Sequence, residues 1–235
     1  MEIRIGDIDC ERLLKRSLAR GGDFAEIYFE HRRGTSIICE AHRIEKFLVT
    51  SESGVAMRVV MGDRSAFAYT NDASSLDDLA DTVASAVRAG SFPGGISLRK
   101  RSPVSIVQMD IDPGGVSPRD KIAQVQKADT VAWGMDDSVV QARVMYGDGS
   151  RRVFVANSLG FIAEDSRDSL VFMVQGIVTR DSLMETGYEP VGGSRGYELF
   201  TEIPPEEVAR KAISRALTTL RARRATSSGG ISVNS

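Results

Sequence analysis

The chain has little of what metal sites and nucleophilic centres are usually built from. In 235 residues there are two histidines, two cysteines and one tryptophan. Cys10 and Cys39 stand alone, with no C-x-x-C and no neighbouring histidine, which indicates no disulfide framework, leaves one bridge between them open, and points to a reducing compartment. Net charge is also small. Thirty lysines and arginines against 32 acids give a formal charge of -2, and this supplies no general field for nucleic acid or an anionic membrane. Long hydrophobic runs are missing as well, so the sequence predicts no membrane-spanning helix. The opening MEIRIGDIDCERLL carries acids and no apolar core, so no secretory leader is expected and the location is read as cytoplasmic. What is present is ordinary globular composition, 42% hydrophobic and 26% charged, enough to bury a core.

The apolar pattern divides the chain. Cys10, Leu13, Leu14 and Leu18 recur at helical spacing and stop at Gly21-Gly22. Strand-like runs follow: Ala25 to Phe29, Thr35 to Cys39, Arg43 to Ser51, Gly54 to Met61 and Ser65 to Thr70, punctuated by Gly34, Ser53-Gly54 and the tight turn Gly62-Asp63-Arg64. Leu76, Leu79, Ala80, Val83, Ala86 and Val87 then mark one helical face, with Ser75 and Asp78 as a capping box. Residues 91–116 read as a Pro/Gly-rich linker, including the basic Arg99-Lys100-Arg101 as a solvated segment. Ser117-Pro118-Arg119-Asp120 fits a helix start with proline at the first position. The helix runs on through Ile122, Val125, Ala128 and Ala132. Strands are expected at Val139 to Tyr146 and Arg152 to Ala156, with Gly147-Asp148-Gly149 as a hairpin between them, then at Phe161 to Glu164 and Leu170 to Thr179. Gly187 to Gly196 reads as a glycine-rich loop, Tyr197 to Phe200 as extended chain, and Pro204-Pro205-Glu206-Glu207 as the start of a last helix. Ala225 to Ser235 reads as a disordered tail. The expected architecture is α+β, with antiparallel sheets and helices packed on one face: 1–90 as a first domain, the linker at 91–116, and 117–224 as a second region.

No catalytic set emerges from the residues. His31 and His42 sit in strand-like stretches without a second ligand at metal spacing. There is no G-x-S-x-G elbow, and Asp77-Asp78 and Asp136-Asp137 read as solvated acids. Val191 to Gly196 lacks the phosphate-loop pattern. Its glycines do allow a backbone to approach a ligand closely, which makes Gly192, Gly193, Arg195, Gly196 and Tyr197 the candidate substrate-binding residues.

Several segments resemble one family. Gly22-Asp23-Phe24-Ala25-Glu26-Ile27-Tyr28-Phe29-Glu30, Gly54-Val55-Ala56-Met57-Arg58-Val59 and Gly62-Asp63-Arg64-Ser65-Ala66-Phe67-Ala68-Tyr69-Thr70 resemble the N-terminal domain of the TldD/PmbA metallopeptidases. Ser117-Pro118-Arg119-Asp120-Lys121, Val155-Ala156-Asn157-Ser158-Leu159-Gly160, Gly192-Gly193-Ser194-Arg195-Gly196-Tyr197-Glu198-Leu199-Phe200 and the Ala216-Leu217 helix resemble its following central region, in the same order. The resemblance implies a zinc peptidase acting on unfolded or extended peptides, known historically as a modulator of DNA gyrase. Its zinc is held by an H-E-x-x-x-H helix and a later cysteine in a C-terminal part of the TldD-type subunit, which pairs with a PmbA-type subunit. This sequence has no H-E-x-x-x-H, and Ala225 to Ser235 does not resemble the apolar strand that leads to it. The resemblance therefore implies a non-catalytic N-terminal portion with no metal ligand of its own. It would supply scaffold, subunit contacts and part of a peptide channel. A stand-alone peptide-binding subunit and a truncated relic are the alternative expectations.

Overall fold

The structure, a computed structural model, describes residue 6 and residues 8–87, 96–101 and 109–228. Among the described residues seven strands and five α-helices follow the order α1 (Cys10–Ser17), β1 (Phe24–Glu40), β2 (Arg43–Met61), β3 (Arg64–Thr70), α2 (Leu76–Ala86), β4 (Arg99–Arg101), α3 (Pro118–Gly134), β5 (Val139–Asn157), β6 (Phe161–Arg180), β7 (Leu183–Gly193), α4 (Leu199–Glu202) and α5 (Pro205–Ser228). Hydrogen-bonded strands follow the order β3-β2-β1-β5-β6, with β4 and β7 each beside β6. The β2–β3 and β6–β7 pairs are antiparallel, and the short β4–β6 pair is parallel. The α+β class with helices on one face is the architecture the sequence predicts.

Two compact units are each assembled from three chain segments. The first takes residues 1–33, 50–106 and 150–167, and the second takes 34–49, 107–149 and 168–235. The core of the first lies between α1, α2 and the strands: Leu13, Leu14 and Leu18 meet Ile27, Met57, Val59, Leu79 and Val83, closed by Phe154 and Ala156 of β5. Alternation puts Ala25, Ile27 and Phe29 inward, while the intervening residues stay partly exposed, as a half-covered sheet requires. Arg16 of α1 holds Asp81 of α2 through two hydrogen bonds of 2.7 Å.

The core of the second unit is built from α3, α5 and the strands, with Val125, Ala128 and Ala132 facing Val144, Phe172, Val174, Ala212, Ile213 and Ala216. Gly176 and Gly187 are cross-strand partners, and both lie under α5. A Cβ on Gly187 would collide with the Ala212 carbonyl and stand 2.6 Å from Ala216 N, and one on Gly176 would meet the Ile213 Cδ1 methyl. The bare pair lets the helix backbone settle on the sheet.

Several sequence expectations are corrected. Gly34, Ser53-Gly54 and Gly147-Asp148-Gly149 do not break strands, because β1, β2 and β5 run straight through them. A turn does occur at Ala41-His42, where both residues adopt left-handed backbone, φ 48° and 62°. His42 is thus a turn residue and not a strand residue. The Ser75 capping box does not form: Ser75 makes no cap bond, and Asp72 accepts from the Ser74 N–H and from both serine hydroxyls. Arg99–Arg101 is a strand and not loop. The glycine-rich stretch is strand β7 as far as Gly193, and Leu199–Glu202 is helical and not extended. Helix α5 continues to Ser228, so the expected disorder of 225–228 does not hold, and 229–235 lie outside the described residues.

Candidate functional site

The glycine-rich segment leaves β7 at Gly192 and Gly193, both with positive φ (140° and 135°). Gly192 is packed against the neighbouring strand, since a Cβ there would stand 2.8 Å from Val171 Cα, whereas a Cβ on Gly193 would meet open space. The chain then turns inward. The Gly196 N–H donates to Glu198 Oε1 at 2.8 Å and the Ile111 N–H to Glu198 Oε2 at 3.0 Å. Burial alone would raise the Glu198 carboxyl, but its own backbone N–H and those of Gly196 and Ile111 outweigh it and hold the pKa below the ordinary glutamate value. Tyr197 is half-buried. Its N–H donates to the Ile111 carbonyl at 2.9 Å and its hydroxyl to the Asp120 carbonyl at 3.0 Å. Arg195 pairs with Glu202 and stays partly exposed.

Of the five candidate residues, then, Gly196 and Tyr197 anchor the segment internally, while Gly192, Gly193 and Arg195 form an exposed corner at the end of β7. The adjoining edge of β7 is blunted. The Tyr188 carbonyl accepts from Arg215 at 2.9 Å, and Pro190 has no N–H to offer.

Behind the corner lies a polar cluster that the sequence does not announce. Tyr197 meets Phe200 edge-to-face with ring centres 5.1 Å apart, and Phe200 stacks on Tyr146 at 6.2 Å. The Tyr146 hydroxyl donates to Asp148 Oδ2 at 2.6 Å. The same oxygen accepts from Lys121 Nζ at 2.5 Å, and Asp148 Oδ1 accepts from the Thr35 N–H at 3.1 Å. Lys121 also donates to the Thr35 hydroxyl at 3.0 Å. Both charged side chains are buried, 5% and 6% exposed. Burial first, and the Asp148 hydrogen bond second, push the Tyr146 phenol well above its usual range. With its charges paired and both carboxylate oxygens hydrogen-bonded, the cluster is a structural support and not a reactive centre. A signal existed: Lys121 falls in register with Val125, Ala128 and Ala132 on the buried face of α3, where an unpaired lysine would be costly.

His42 Nδ1 lies 2.7 Å from Asp129 Oδ2, with the imidazole 62% exposed and the carboxylate buried. The ring packs beside Trp133 at 5.2 Å. Cys39 is buried, and burial first, then Asp129, lifts its thiol to about 12, so it is not a nucleophile. Among the described residues no group of three or more His, Cys, Asp and Glu could hold a metal ion. The zinc implied by the resemblance thus finds no ligand set in them. No helix among the described residues is long and apolar enough to cross a membrane.

Comparison with known proteins decides the family. The PmbA/TldA metallopeptidase domain 1 matches residues 25–90, and the PmbA/TldA metallopeptidase central domain matches residues 111–220. The chain belongs to the TldD/PmbA family. It is 24% identical over 234 residues to the metalloprotease TldD homolog of Buchnera aphidicola, covering 95% of this chain and 48% of that protein. It is 24% identical over 203 residues to a metalloprotease of Methanothermobacter thermautotrophicus, covering 85% and 44%. The chain thus spans about half the length of these relatives. Among solved structures, a protein named as a modulator of DNA gyrase from Bacteroides thetaiotaomicron superposes with a TM-score of 0.70 at 16% identity, covering 89% of this chain and 48% of its own. TldE from Thermococcus kodakarensis does so with a TM-score of 0.68 at 13% identity, covering 88% and 46%. These likenesses show that the fold is shared.

Proposed function

We propose that this TldD/PmbA chain is the non-catalytic, peptide-guiding portion of a cytoplasmic zinc metallopeptidase that acts on unfolded or extended peptides. The observation that carries the reading is the match of domain 1 and the central domain in order along the chain, together with relatives named as metalloproteases. The zinc and its ligands belong, in this reading, to a further part or to a TldD-type partner subunit. This chain supplies scaffold, contacts to a PmbA-type or TldD-type subunit, and one wall of the peptide channel.

The wall is the corner Gly192-Gly193-Arg195. Gly193 has open space where a side chain would stand, so an extended peptide can approach its backbone. The Arg195 side chain is paired at the surface with Glu202. Such pairs contribute little, about 0–1 kcal/mol, and can be exchanged for a peptide carbonyl or carboxylate. Gly196 and Tyr197 hold the corner in place from behind.

The test is co-expression of the 235-residue chain with a zinc-bearing subunit of the family, followed by cleavage assays on an unstructured peptide. The chain is expected to co-purify, and Arg195→Ala to raise KM by about tenfold or more, the worth of one charge-assisted hydrogen bond, with kcat unchanged. Unaltered peptide binding and cleavage by the Arg195→Ala complex would remove the corner from the channel. Failure to co-purify would remove the subunit reading.

A further inference from the structure

The first unit carries an open recess on the face of its sheet that turns away from α1 and α2. Ile27 and Phe29 of β1, and Val55 and Met57 of β2, point into the core, so the alternating Tyr28, Glu30, Gly54 and Ala56 stand on the opposite face. On β3, Ala68 packs against the core. Its neighbour Tyr69 stands outward, directly opposite Ala56 and 78% exposed. The recess, about 840 Å3, is bordered by Tyr28, Glu30 and Arg32 of β1, by Tyr69 of β3, and by Gly54 and Ala56 between them. Its size falls in the ordinary range of ligand sites, about 300–1,000 Å3.

The Tyr28 wall is fixed by hydrogen bonds. The Tyr28 hydroxyl donates to Glu30 Oε2. Arg151 of β5 donates to the same oxygen through Nε at 2.9 Å and Nη2 at 2.7 Å, and Nη2 also reaches the Tyr28 hydroxyl at 3.0 Å. Arg32 pairs with the other carboxylate oxygen. Burial alone would raise the Glu30 carboxyl, but the bonds from Tyr28 and Arg151 outweigh it and hold the pKa below the ordinary value. Charge is balanced around the recess, with Glu30 and the exposed Glu52 against Arg32 and Arg151. Both guanidinium groups already serve Glu30, so neither sign of ligand is favoured.

What the recess offers is two tyrosine rings across a floor of small residues. Strand β2 lies between β1 and β3, and strands spaced about 4.8 Å apart put the outer two about 9–10 Å from each other. A flat ring resting over Ala56 then has a tyrosine about 5 Å to either side, inside the range of about 4.5–7 Å for aromatic pairs. A branched aliphatic group gains no stacking there, and a charged group gains no partner.

We propose that the recess binds an uncharged aromatic side chain of an extended peptide, seated over Ala56 between Tyr28 and Tyr69. Glu30 and Arg151 are positioning residues that hold the Tyr28 ring. The inference names a residue class that the peptide-guiding reading leaves open, and it rests on that reading for the choice of a peptide as the source of the ring.

The test is NMR titration of the 235-residue chain with N-acetyl-tryptophanamide, N-acetyl-leucinamide and adenosine. The tryptophan amide is expected to bind saturably, with shifts centred on Ala56 and Tyr69, and at least about fivefold more tightly than the leucine amide. Tyr69→Ala should weaken it about five- to tenfold, while Tyr69→Phe should retain it. Ala56→Leu fills the floor and should abolish binding, and the Tyr69 variants keep the test decisive if that one misfolds. Absence of saturable binding, equal affinity for the leucine amide, or unaltered affinity in folded Tyr69→Ala would overturn the proposal. Adenosine binding as tightly as the tryptophan amide would overturn the assignment to a peptide. The titration needs no zinc-bearing subunit, so its failure is distinct from a failure of the co-purification and cleavage that test the peptidase reading.

Discussion

Removing Lys121 measures how far the second unit depends on its buried charge cluster. In Lys121→Met the hydrocarbon volume is kept and the ammonium is lost, leaving the Asp148 carboxylate buried with the Tyr146 hydroxyl and the Thr35 N–H as its remaining donors. Stranding one member of a buried pair costs about 3–5 kcal/mol, and the two surviving hydrogen bonds place this case near the lower end, about 3 kcal/mol. Asp148→Asn keeps an acceptor for Tyr146 and should cost less, about 2 kcal/mol. The double variant contains no buried charge, so its loss should fall short of the sum by about 1–3 kcal/mol. Urea unfolding of the four proteins at neutral pH supplies the cycle, with an unchanged m-value confirming that native stability is what moved. A single-variant loss below about 1 kcal/mol, or additivity within about 0.5 kcal/mol, would refute the reasoning.

Three further outcomes follow from the same unit. Gly187→Ala drives a methyl into the α5 backbone at Ala212 and Ala216, and thermal unfolding should show a loss of at least about 3 kcal/mol, the upper end for overpacking. Gly176→Ala presses only on the Ile213 methyl, which can rotate, and should cost clearly less. For Glu198 the folded pKa lies below the ordinary value, so its stabilisation is complete above the unfolded pKa of about 4.3 and is lost as pH falls through the lower folded value. The Tm advantage of wild type over Glu198→Gln should therefore be present near neutrality and shrink below that pKa, and a constant advantage would contradict the assignment.

What the sequence made legible is what local chemistry decides. Ser117 and Pro118 place the start of α3, where the Ser117 hydroxyl accepts from the Asp120 N–H at 3.2 Å. Gly62-Asp63 gives the β2–β3 hairpin, and the apolar stripes give α1, α2 and α5. Long-range demands overrode local ones elsewhere. Gly147-Asp148-Gly149 has the composition of a turn, yet Asp148 is bonded to Lys121 and to the Thr35 backbone, 113 residues away, and β5 continues through it. Ala41-His42 has no turn residue that would announce it, but β1 and β2 must reverse there, and His42 is steadied by Asp129 and Trp133. For the candidate site, the glycines marked a place of close backbone approach. Which of its residues face inward depended on Ile111 and Asp120, distant in sequence.

The interleaved make-up of the two units has a consequence for how the protein is made. The first unit needs Phe154 and Ala156 to close its core, so when the chain has been made as far as residue 87 one side of that core stays open until about seventy further residues have been added. At ~5–20 residues per second that interval lasts several seconds. Throughout it, the side of the core that Phe154 and Ala156 close stays uncovered, and the first unit is complete only when β5 has been made.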